Sequence, residues 1–100
     1  MTASATPASP VVYHPVGRLD GTNAAAVEKE LLALMADSGY AVRIDLAALD
    51  YVSSAGLRVL LVGAKTAKAK GGKLVLASPQ PSILEVLKIS GFDKIFEIQA

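Results

Sequence analysis

Apolar residues recur along this chain with two different periods, and the switches between them mark its elements. Val42, Ile44 and Leu46 alternate with Arg43 and Asp45, the pattern of a strand with one buried face. Val27, Leu31, Leu34 and Met35 recur at helical spacing. That helix is expected to start from a Thr22 or Asn23 cap, run to about Ser38 and end at Gly39. A second helix is predicted from about Ser54 to Lys70, with Leu57, Leu60, Leu61, Ala64 and Ala67 as its inner stripe and Gly71-Gly72 as its stop. Arg58, Lys65, Lys68 and Val62 are expected to face outward. Lys73 to Ala77 is almost wholly apolar, as in a central strand covered on both faces.

Ser78 to Pro81 turns the chain into a third helix with Ile83, Leu84, Val86 and Leu87 on its apolar face. Ser82 and Glu85 have capping-box spacing, and Ser78 before Pro79 offers an earlier cap. Gly91 is the expected C′ glycine, with Phe92 folding back on the helix. Lys94 to Ile98 reads as a last strand. At the start, Val11 to Tyr13 reads as a strand that Pro15 confines to a sheet edge or a bulge. Gly17 to Gly21 continues the sheet and turns. The predicted order is ββαβαβαβ, an α/β fold: a mixed, mostly parallel sheet of four to five strands with helices packed against it. The strand–helix–strand units imply parallel pairing of the last three strands.

One hundred residues make one small domain, and 52% apolar content is enough to build its core. The Thr/Ala/Ser/Pro-rich residues 1–10 are expected to be a disordered tail, with the domain in 11–100. Net charge is +1, which gives no general attraction to nucleic acid or membrane. Yet no acid occurs between Asp50 and Glu85, where Arg58, Lys65, Lys68, Lys70 and Lys73 lie. Such a run is a solvated helix face or a partner surface; without interleaved aromatics it does not fit nucleic acid. No apolar run approaches the ~20 residues of a membrane span. The chain has no cysteine, which excludes disulfides and thiol chemistry and suits a reducing cytoplasm.

The stretch Asp45 to Arg58 organises the rest. It reads as a buried strand, a short turn, and a helix opening on Ser53 and Ser54. Serine is a favoured N-cap because its hydroxyl accepts from an orphan N–H of the first turn. A hydroxyl at an exposed helix N-terminus also suits phosphorylation, since the helix dipole favours negative charge there. Gly56 lets another backbone or a ligand approach closely. Catalytic patterns are missing: no Walker loop, no strand-linked Gly-x-Gly-x-x-Gly, no metal-ligand spacing. His14 is the only imidazole, and Ser54 does not sit in a Gly-x-Ser-x-Gly elbow. Asp20, Asp45 and Asp50 lie near strand ends, where they converge as a site or cap turns separately. The reading is not an enzyme, with no cofactor and no metal.

Across residues 11–98 the sequence resembles the STAS domain family, and within it the bacterial anti-sigma-factor antagonists. Asp45-Leu46…Leu49…Val52-Ser53-Ser54-Ala55-Gly56-Leu57 is similar to the family signature. Gly17-Arg18-Leu19-Asp20 and Ser90-Gly91-Phe92-Asp93-Lys94-Ile95-Phe96 resemble its earlier and later motifs. The resemblance implies a cytoplasmic regulator of transcription that binds an anti-sigma factor with serine kinase activity and so frees a sigma factor. It implies that the kinase phosphorylates Ser54, with Ser53 as the alternative acceptor, and that a PP2C-type phosphatase reverses this. It places Asp20, Ser53, Ala55, Gly56 and Arg58 at the partner surface; the charge pattern and short apolar runs add the expectation of no nucleic acid bound and no membrane insertion. The family often has aspartate before the acceptor; this chain has Ser53. The alternative is a non-switching STAS accessory domain of a signalling complex or a lipid-transport ATPase.

Overall fold

The structure, a computed structural model, describes residues 11–99. The tail expected in residues 1–10 lies outside them. Among these described residues six strands and three helices follow in order: β1 (Val11–Tyr13), β2 (Gly17–Leu19), α1 (Ala24–Asp37), β3 (Ala41–Asp45), β4 (Leu49–Val52), α2 (Ser54–Ala69), β5 (Lys73–Ala77), α3 (Pro81–Ile89), a 3-10 turn (Phe92–Lys94) and β6 (Glu97–Gln99). Four strands form one sheet in the order β1-β3-β5-β6, and β2 pairs with β4 in a separate ribbon. Every pairing among the described residues is parallel.

Among the described residues β1 lies at the sheet edge, where a chain turning at Pro15 loses no ladder bond. In β3, Val42 and Ile44 are buried while Ala41, Arg43 and Asp45 are half-exposed, as the alternation requires. Four of the five β5 residues are buried, so its apolar run does mark the centre of the sheet. α1 sets Leu31 and Met35 into the core, one turn apart. α3 does the same with Ile83 and Leu87, each such side chain contributing roughly 1.5–3 kcal/mol by leaving water. No helix among the described residues is long and apolar enough to cross a membrane.

Several local expectations change. The turn expected before Ser53 contains a strand, β4, with its end residues Leu49 and Val52 buried and Asp50 and Tyr51 exposed. Four residues are too short for a period to show. Gly17–Leu19 does not continue the main sheet; it pairs with β4. The α2 stripe is Gly56, Val59, Leu60, Gly63 and Ala67, with Leu57, Leu61 and Ala64 only half-buried. The shift arises because two glycines give the closest approach: a Cβ on Gly63 would stand 2.9 Å from a methyl of Leu74 and 3.0 Å from one of Leu31. α3 begins at Pro81 after Gln80, so neither the Ser82–Glu85 box nor a Ser78 cap forms. Gly91 takes the left-handed conformation expected after a helix, φ 77°, but Phe92–Lys94 coils once more and the last strand starts at Glu97.

Candidate functional site

The parallel ribbon β2–β4 carries the start of α2. Leu19 pairs with Val52, and the Ser53 N–H extends the ladder by donating to the Leu19 carbonyl at 3.0 Å. The chain then turns into α2, where Leu57 N–H donates to Ser53 O at 2.9 Å. Ser53 is the N-cap, with extended backbone, and its hydroxyl accepts from Gly56 N–H at 3.4 Å. Serine is among the residues most favoured in this capping role.

Ser54 is the first helical residue and its side chain is exposed. The two adjacent hydroxyls are therefore inequivalent: one is turned into the first turn of the helix, the other faces solvent. Ala55 is half-buried and Arg58, one turn beyond Ser54, is exposed. Arg58 has no carboxylate within 4.0 Å among the described residues. Gly56 is buried. A Cβ there would lie 2.5 Å from the Leu19 carbonyl oxygen and 2.7 Å from a Val52 methyl. The close approach expected at Gly56 is thus that of the Leu19 backbone, which seats the helix start against β2.

Asp20 follows Leu19 and so stands beside this helix start. Its carboxylate accepts from Thr22 Oγ1 at 2.6 Å, Thr22 N–H at 3.0 Å and Arg18 Nε at 2.9 Å. Those bonds, led by the Thr22 hydroxyl and then Arg18, hold its pKa down at about 2. Asn23 closes the loop, accepting from Asp20 N–H at 2.9 Å and donating to Arg18 O at 2.7 Å. The loop is thus pinned at both ends. The other two acids work elsewhere. Asp45 accepts from Ala47 N–H and faces His14 at 3.5 Å, while Asp50 accepts from Gln80. Asp20 and Asp45 each hold a local turn, while Asp50, on β4, ties that strand to Gln80 at the start of α3. Among the described residues no group of His, Cys, Asp or Glu is placed to hold a metal ion.

Two residues not expected as site residues, Tyr51 and Arg18, stand beside the helix start. Tyr51, 45% exposed on β4, lies under the Arg18 guanidinium at 4.7 Å. Arg18 also bridges to Asp20 at 2.9 Å, so one guanidinium links the ribbon to the loop. An exposed tyrosine stacked on arginine is the kind of rigid anchor that protein interfaces favour. The signal was present as Tyr51 two residues before the serines, but its outward direction depends on β4, which the periodicity hid.

The family model of the STAS domain matches residues 3–100. BtrV of Bordetella bronchiseptica, named as a candidate anti-sigma factor antagonist, is 44% identical over 82 residues, which cover 82% of this chain and 71% of that protein. The anti-sigma-B factor antagonist of Listeria monocytogenes is 29% identical over 83 residues, 83% of this chain and 73% of that one. Among solved structures, a candidate anti-sigma factor antagonist from Thermotoga maritima aligns with a TM-score of 0.83 at 23% identity, covering 89% of this chain and 77% of that one. SpoIIAA, an anti-sigma factor antagonist in its unphosphorylated form, aligns with a TM-score of 0.68 at 17% identity, covering 89% and 76%. A pinned ribbon, a serine-capped helix start and a match over nearly the whole length agree: the chain belongs to the STAS domain family.

Proposed function

We propose that this protein is an anti-sigma factor antagonist controlled by phosphorylation of Ser54. In its unphosphorylated form it binds an anti-sigma factor that is also a serine kinase, and so releases a sigma factor. Phosphorylation ends binding, and a PP2C-type phosphatase restores it. The names of the sequence relatives support the first part of this reading. The observation that carries the second is the inequivalence of the two serines: Ser53 is committed as the N-cap, while Ser54 presents an exposed hydroxyl at a helix N-terminus. The partner surface comprises Ser54 with Asp20, Ser53, Ala55 and Arg58 around it, Gly56 as the seat beneath, and the Arg18–Tyr51 stack beside it.

A phosphate adds about 1.5–2 negative charges at neutral pH. In the free domain the helix N-terminus and Arg58 accommodate that charge. In the complex it must lose water against a surface shaped for a neutral hydroxyl. A cost of about 3–4 kcal/mol lowers affinity by two to three orders of magnitude.

The test is phosphopeptide mass spectrometry after incubation with host lysate and ATP under phosphatase inhibition. Wild type and Ser53→Ala acquire phosphate at Ser54; Ser54→Ala acquires none. Phosphate that disappears only with Ser53→Ala would reassign the acceptor. No phosphate on any form, with other serine kinases active in the same lysate, would favour a constitutive STAS accessory domain.

A further inference from the structure

The far end of α2 carries a second surface that the proposed switch does not use. Here the helix, the start of β5 and the segment entering β6 enclose an open groove of about 710 Å³. Its floor is apolar, with Leu61, Ala64, Leu74 and Phe96. Ile95 stands on its edge, 57% exposed. Four exposed lysines line it: Lys65 and Lys68 from α2, Lys73 from β5 and Lys94 from the 3-10 turn. Lys73 is paired with Glu97 at 2.7 Å. The other three have no carboxylate within 4.0 Å among the described residues. Lys65 and Lys68 lie about 17–21 Å along the helix axis from Ser54 at the helix rise per residue.

We propose that this groove docks an acidic amphipathic helix of a partner protein, at a site separate from Ser54. The occupant follows from the pairing of shape and charge. Apolar residues at i, i+3, i+4 and i+7 of the incoming helix would lie on the Leu61–Leu74 floor, with carboxylates on either side meeting Lys65, Lys68 and Lys94. A flat bilayer fits less well, because the lysines belong to a concavity. Nucleic acid fits less well too, since among the described residues the groove has no arginine for bidentate phosphate contacts and its one aromatic, Phe96, is buried. Unpaired rim charges would steer association and set its salt dependence, while the apolar floor holds the bound helix.

The test uses the full chain and a dye-labelled helical peptide of about 14 residues, with leucines at helical spacing and glutamates between them. Fluorescence anisotropy reports affinity, and backbone amide NMR shifts report location. The expected result is saturable binding that weakens as salt rises, with shifts at Leu61–Lys68 and Lys94–Phe96. Lys65→Glu with Lys68→Glu weakens it at least tenfold, and Ile95→Ser, at a largely exposed side chain, weakens it while leaving the unfolding curve in place. Ser54→Glu leaves it unchanged, which separates this site from the proposed switch. Equal binding of a peptide with the same composition but scrambled leucines would overturn the proposal. So would shifts centred on Ser53–Arg58, or binding to phosphatidylglycerol vesicles that the lysine reversals abolish while the peptide does not bind.

Discussion

At the scale of single residues, the helix start depends on a missing side chain as much as on the hydroxyls present. Gly56→Ala gains about 1 kcal/mol of helix propensity, but its Cβ meets the Leu19 backbone carbonyl, and forced overpacking costs about 1–3 kcal/mol. Because backbone cannot yield as a rotamer does, the net expectation is destabilisation, read as a lower urea midpoint, with the proposed phosphorylation at Ser54 slowed. Gly63→Ala is the control. Its nearest neighbours are methyl ends of Leu74 and Leu31, side-chain atoms that can shift, so its midpoint stays near wild type or rises. Asp20 supplies a pH signature. Its folded pKa of about 2 lies below the unbonded value of 3.8, so its contribution is complete above pH 4 and is lost as pH falls toward 2. Thermal unfolding from pH 5 to pH 2 is therefore expected to fall less steeply for Asp20→Asn than for wild type.

At the scale of elements, the two-strand ribbon is the feature that places the serines. β4 has only four residues, two inward and two outward, and they are expected to behave differently. Leu49 is fully buried, and Leu49→Ala should cost about 3 kcal/mol in denaturant unfolding. Tyr51 is exposed and stacked on Arg18, so Tyr51→Ala should change stability by about 0.5–1 kcal/mol at most while weakening capture of the anti-sigma factor in a pull-down. Much of this architecture was legible beforehand. The alternation in Val42–Leu46, the helical spacing in Val27–Met35 and the apolar run of Lys73–Ala77 each named their element correctly, because burial on a sheet or helix writes a period into the sequence. β4 was not legible. Its partner, β2, lies some 30 residues earlier, and a strand that short shows a period only once its partner is known.

For the whole molecule, α2 relates two unlike ends: a hydroxyl at its N-terminus beside the ribbon, and a lysine-lined groove near its C-terminus. The core under the helix is continuous, from Leu19 and Val52 through Leu60 and Leu31 to Leu74. Ser54 is exposed at the helix N-terminus, so a charge added there faces solvent and the favourable end of the helix dipole. Ser54→Glu is expected to keep the unfolding temperature within about 2–3 °C of wild type, the range of a small surface effect in a domain of this size, while abolishing partner binding. Circular dichroism melting beside an anti-sigma factor binding assay checks both halves at once. A variant that loses binding only because it unfolds would contradict the switch.

The sequence alone determined the α/β class, the helices, the centre of the sheet, the serine pair at a helix start and the family resemblance. All of these are local, carried by a period, a cap or a contiguous motif. The tertiary structure decided which serine is committed and which is exposed. It also directed the freedom of Gly56 inward to Leu19, brought Arg18 over Tyr51, and gathered lysines from three separate elements around one groove. Those outcomes depend on contacts between residues distant in the chain, and a pattern read along one strand or helix holds no record of what packs against it.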